Sequence, residues 1–214
     1  ADERGKTDYP ESGGVYDVMD PFKIEAQMLA RTTAGSLARF GMAEVEASRG
    51  ESAYVWEEGN RYKATVIEGL GTKNLIADAV RQDTGRTHYD DLAQDTVAMI
   101  VNDLLSVGAD PETISMYVAV GSSDWFEDRE RASDLLNGWT RACKLAGAVW
   151  AGGETPALKG VIEAKAVDLS GSATGVIYPK GRLTLGERLS LGDHIIIIES
   201  SGIHANGLSL VRKL

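Results

Sequence analysis

The chain has 214 residues and a formal net charge of −10, which is long enough to bury a sizeable core. That charge excludes a nucleic-acid binder that relies on broad attraction to phosphates, although a magnesium ion would still let it hold a small anionic ligand. The one cysteine, Cys143, excludes an intramolecular disulfide and fits a reducing, cytoplasmic setting, and no window approaches the roughly eighteen apolar residues of a membrane span.

Residues 1–20 are expected to form a mobile N-terminal arm, polar and Gly-rich over its first fifteen positions. Asp20 as N-cap and Pro21 at the first helical position predict a helix whose apolar stripe includes Ile24, Met28 and Leu29 and which Gly41 ends. "SAYVWEEGNRYKATVIE" reads as a hairpin turning at Glu58-Gly59-Asn60. "KNLIADAVRQ" reads as a short helix, and "YDDLAQDTVAMIVNDLLSV" as a long helix ended by Gly108. "ETISMYVAV" is a strand. In the next segment Ala132, Leu135, Leu136, Trp139, Cys143 and Ala146 recur at helical spacing, which makes Cys143 a core thiol rather than a nucleophile. "GAVWAG", "VIEAKAVDLSGSATGVIY" and "HIIIIES" read as strands. The elements do not alternate as in a doubly wound fold. The fold class expected is α+β, a mixed sheet with helices on one side. An N-terminal domain over 21–178, a Gly-punctuated linker over 179–190 and the start of a second domain over 191–214 complete the division.

Four stretches carry candidate chemistry. In "VIEGLGTKN", Gly69 and Gly71 let the backbone approach a ligand, the following helix start favours an anion, and Lys73 adds a point charge. The spacing does not match a Walker-type loop. In "AMIVNDLLSVGA", Asp103 has Met99, Ile100, Ser106 and Val107 as helical neighbours, so it lies on a mainly apolar face and needs a partner or a metal. Asp91, Asp95 and Asn102 fall on a different stripe. "AGGETPAL" places Glu154 and Thr155 after the flexible Gly152-Gly153 pair. "ESSGIHANGLSLVRKL" offers the Ser200 and Ser201 hydroxyls, a histidine able to exchange a proton near neutral pH, His204, and Asn206 or Ser209 as a helix cap. Each stretch alone also fits an ordinary turn, a solvated face or a structural ion pair. Together, Glu68, Asp103 and Glu154 with Lys73 nearby suit magnesium and a phosphorylated ligand, hence an ATP-using enzyme.

"EGLGTK", "DTVAMIVNDLLSVGADP", "GGET" and "SSGIHANGLSLVRKL" together resemble aminoimidazole ribonucleotide synthetase, the phosphoribosylformylglycinamidine cyclo-ligase family, from about Tyr62 to Leu214. The resemblance implies an N-terminal domain that pairs as a homodimer around a central β-barrel, with a second α/β domain of which only the first strand and helix are present. It implies ATP-dependent ring closure of formylglycinamidine ribonucleotide in purine biosynthesis. By the same resemblance, Glu68, Asp103 and Glu154 would hold magnesium. Gly69, Gly71, Thr72, Lys73, Asp95, Asn102, Gly152, Gly153 and Thr155 would serve ATP, and Ser201, His204 and Asn206 the small-molecule substrate. His204 and Lys73 would act in catalysis. The chain departs from the family in two places. "EGLGTK" stands where the family has "DGVGTK", and the early "GGFG" loop is absent. A relative with another substrate, or a non-catalytic nucleotide-binding and dimerisation module, are the alternatives.

Overall fold

The structure is a computed structural model that describes residues 15–212. Most of the expected N-terminal arm, residues 1–14, lies outside them. The first helix, α1, spans Tyr16–Arg31, so it begins before Pro21 and holds that proline inside. The expectation of a start at Pro21 is therefore corrected. A proline this close to a helix start removes one hydrogen bond but leaves the turns beyond it intact. No residue of α1 is buried. A 3-10 segment, Ala34–Phe40, follows and is closed by Gly41 at φ 69°.

Strand β1 is Ala43–Glu44, β2 is Tyr54–Glu58 and β3 is Arg61–Gly69. β2 and β3 form the expected hairpin, with Glu58 opposite Arg61 across Gly59-Asn60. Gly59 has φ 61°, the positive value that a two-residue turn with glycine first requires. Helix α2 is Lys73–Thr84 and α3 is Tyr89–Ser106. Strand β4, Asp110–Val120, leads through α4, Arg129–Ala146, to β5, Val149–Glu154. The last strand is β6, Val167–Ile177. The short α5 is Leu208–Val211.

The strands form one mixed sheet in the order β1-β2-β3-β6-β4-β5. Only β4 and β5 run parallel, joined through α4. Alternate residues of β6 are buried, from Val167 to Ile177, so the sheet has one packed face. Ile100 and Leu104 of α3 and Leu135 and Trp139 of α4 fill the core over it. Cys143 is buried there too, and burial pushes its thiol up to about 11, as an inert core thiol requires. The opposite face carries Ile67, 76% exposed, among half-exposed serines and threonines.

The two long helices approach until their backbones touch. A Cβ on Gly138 of α4 would lie 2.5 Å from the Asp90 Cα of α3, so only glycine fits. Gly138→Val is expected to lower stability by about 2–3 kcal/mol, as overpacking does, measured by urea denaturation. An unchanged midpoint would show that the helices can part cheaply.

Two further expectations are corrected. The segment Val161–Ala166 is not part of a strand, since β6 begins at Val167. The stretch "HIIIIES" forms no strand either. Ile195 to Ile198 are 86–90% exposed and unpaired. An isoleucine run has strand propensity, but a strand needs a neighbour's backbone groups, and this run lies beside none of the six strands' ladders. Residues 179–185 stay close to the sheet. Thr184 N–H donates to the Val107 carbonyl at 3.2 Å, and Leu183 and Leu185 pack on the core.

Candidate functional site

The C-terminal end of β3, the length of α3 and the loop before α5 enclose a cleft of about 570 Å³. Its lining includes Glu68, Asp95, Asn102, Asp103, His204 and Asn206. Sequence spacing separates Asp95 and Asn102 from Asp103 on two stripes of α3. In the structure both stripes border this one cavity, which is wider than a single helix face.

Glu68 and Asp103 meet inside it, within hydrogen-bonding reach. Glu68 leaves the packed side of β3 at its last turn, while Asp103 comes from the facing turn of α3. Burial, then the Asp103 charge, pushes the Glu68 carboxyl up. Burial also raises Asp103, with the bond from Glu68 working against it. The two carboxyls therefore titrate as a pair that holds a proton above the ordinary carboxylate range.

Both shifts are upward, so the folded protein keeps protons that the unfolded chain has released. The pair's contribution to stability is full below the ordinary carboxylate range and is lost as pH rises through the folded values. At neutral pH the pair is a cost. Glu68→Gln is expected to raise Tm at pH 8, with the gain shrinking toward pH ~4. Added magnesium should raise the wild-type Tm and leave that of Glu68→Gln nearly unchanged. A thermal melt across this range checks both, and a lower Tm for Glu68→Gln at pH 8 would refute the strained pair.

Lys73 is the first residue of α2, where Gly71 at φ 69° turns the chain out of β3. Its ammonium bonds the Asp95 carboxylate and the His204 carbonyl, the latter at 2.9 Å. Ala205 and Leu208, 8% and 5% exposed, seat the loop that carries His204. The His204 ring is exposed, with Nε2 3.4 Å from the Ser200 hydroxyl. Ser201 is exposed and does not line the cleft. Thus Glu68, Lys73, Asp95, Asn102, Asp103, His204 and Asn206 come together, with Gly69, Gly71 and Thr72 on the adjoining loop.

Glu154, expected as a third metal carboxylate, does not line this cleft. Among the described residues no group of three or more His, Cys, Asp or Glu could hold a metal ion. Glu154 pairs with Tyr117 and lines a shallow hollow on the bare face with Ile67, Ser115, Ser170 and Ser172. The cause is a bulge. Ile114 is opposite Trp150 but Ser115 is opposite Gly152, so Ala151 is the extra residue. One inserted residue sends every later side chain to the other face. Gly152, Gly153 and Thr155 lie on this same edge strand and its exit, away from the cleft.

Two half-buried carboxylates with raised proton affinity fit a hard divalent cation. Magnesium takes one or two protein carboxylates and fills its remaining positions with water and phosphate oxygens. Asn74, which the sequence reading passed over, is 3% exposed beside Lys73. A polar residue in the first turn of a helix carries no signal that it turns inward.

Residues 50–177 match the family model described as AIR synthase related protein, N-terminal domain. A protein of Lactobacillus acidophilus called phosphoribosylformylglycinamidine cyclo-ligase is 34% identical over 93% of this chain and 53% of its own length. Proteins of the same name from Pyrococcus furiosus and Carboxydothermus hydrogenoformans are 39% and 42% identical, over 73% and 68% of this chain and 43% and 39% of theirs. The chain thus spans about half the length of the curated relatives it matches.

Proposed function

The chain belongs to the AIR synthase related family by its N-terminal domain, and from that premise we propose that its cleft binds ATP with magnesium for purine biosynthesis. The reaction proposed is closure of formylglycinamidine ribonucleotide to aminoimidazole ribonucleotide, with ADP and phosphate released. The observation that carries this reading is the facing pair Glu68 and Asp103 in a cleft whose Asp95 is bonded by the Lys73 ammonium.

Glu68 and Asp103 would hold the metal. Magnesium, when bound, would offset the charge of a phosphate group. Lys73 supplies a point charge for a phosphate group, and Gly69, Gly71 and Thr72 bring backbone close to it. Asp95 keeps the Lys73 ammonium turned into the cleft. Asn102 offers an amide beside the metal pair. His204 and Asn206, which line the cleft, would face the second reactant, with Ser201 on the loop before them. The oxygen of the formyl group takes the γ-phosphoryl of ATP. A substrate nitrogen then attacks that carbon, and phosphate leaves with the oxygen. Such chemistry depends on positioning and charge stabilisation rather than on a protein nucleophile.

A second copy of the chain is proposed to cover the bare sheet face and close the barrel. Exposed Ile67 and the Ser115, Ser170 and Ser172 side chains of that face support this reading. The test is calorimetry of ATP with the 214-residue chain, with and without magnesium, alongside sedimentation of the same sample. Magnesium-dependent binding by a dimer is expected. A folded protein that binds no ATP at millimolar concentration would overturn the proposal.

A further inference from the structure

The regular β3–β6 ladder ends at the pair Gly69 and Ser170, yet the chain is tied to β6 twice more beyond it. Leu70 N–H donates to the Leu169 carbonyl at 2.8 Å. The Asn74 side-chain amide then donates to the Val167 carbonyl, also at 2.8 Å. Leu169 and Val167 are alternate residues of one strand, so their carbonyls are spaced as successive ladder rungs. Asn74 supplies the second rung with a side chain, after the backbone has left the sheet to begin α2. Gly71, Thr72 and Lys73 lie between these two ties.

We propose that Asn74 is a positioning residue for Lys73, a role that rests on the phosphate-binding reading of the cleft. A buried amide is retained where an aliphatic side chain would meet the demand of burial alone. Its bond fixes the first turn of α2 on β6, and that turn sets where the Lys73 stem begins. Lys73 has a long, flexible stem, yet its ammonium meets two acceptors from separate elements, Asp95 on α3 and the His204 carbonyl. With the Asn74 tie broken, the turn loses its side-chain anchor on β6. The ammonium then reaches the same acceptors over a wider range of positions. A displacement of about 1 Å at such a group can cost on the order of a hundredfold.

The test uses the full chain with Asn74→Leu, Lys73→Met and the double variant, and with Asn74→Ala should the leucine variant fail to fold. Magnesium-ATP affinity is measured by calorimetry. Lys73 reactivity toward acetic anhydride is read by mass spectrometry, which needs no nucleotide. Asn74→Leu is expected to weaken binding by about tenfold, or about 1.4 kcal/mol, and to speed Lys73 acetylation severalfold. In the Lys73→Met background the same change should have little further effect, because both act through one group. A purely structural role would instead weaken binding equally in both backgrounds. Equal losses in the two backgrounds, or unchanged Lys73 acetylation, would overturn the proposal. A wild-type chain that binds no magnesium-ATP would sink the phosphate-site reading, while the acetylation arm would still show whether Asn74 places the lysine.

Discussion

Asp103→Ala is expected to abolish magnesium-dependent ATP binding, weakening it by more than about a hundredfold. Loss of residues that merely support a metal ligand costs ~10–100-fold, and Asp103 is itself one of two carboxylates proposed to hold the ion. Among the described residues its side chain has no arginine or lysine partner to disturb. Its neighbour is Glu68, whose proton affinity it raises. The variant should therefore fold at least as well as the parent near neutral pH while losing the ligand, a trade often found where a site holds like charges together. Calorimetry with a parallel melt reads both sides. Binding retained within about tenfold would remove Asp103 from the metal site. A large fall in Tm would mean that the carboxylate is structural.

Trp139→Ala is expected to lower stability by about 3–5 kcal/mol, the range for removing a buried aromatic residue. Trp139 is fully buried in α4, its ring 6.4 Å from that of Trp150. The absence of a side chain at Gly171 makes room for it, since a Cβ there would approach the ring to 3.1 Å. Among the described residues its indole N–H has no hydrogen-bond partner. Trp139→Phe should accordingly cost less than lost area alone implies, because it also removes an unpaired buried donor. Urea denaturation of the two variants gives the comparison. A phenylalanine variant as damaged as the alanine variant would show that the N–H is satisfied in solution.

What the sequence made legible was local. The β2–β3 hairpin follows from a Gly turn between strand-like runs, and α4 follows from its 3.6-residue period. In α4 the pattern over-reached at one position: Leu136 shares the spacing of Leu135 but is 46% exposed. The acids at Glu68 and Asp103 were legible, together with Glu154, as candidate metal ligands because one ends a strand and the other sits among apolar helical neighbours. Their meeting depends on how α3 crosses the sheet, which spacing does not record. Glu154 shows the limit most clearly. Its side of the sheet is decided by the extra residue Ala151 in β5, a register event between two strands. The isoleucine run at 195–198 has a strand's composition without a strand's neighbour. Asn74 escaped notice because its partner, the Val167 carbonyl, is 93 positions away in the chain.

The contact at Gly138 bears on how this site tolerates change. Where two helices meet through side chains, each substitution at the seam moves one axis against the other. Here backbone meets backbone at Asp90, near the start of α3, so that end of the helix has a fixed fulcrum. Asp95, Asn102 and Asp103 are carried along the same rod at set distances from it. Exposed positions of α4 can then vary freely without altering the spacing of the acids. A side chain at position 138 would tilt all three together, changing a site it does not touch.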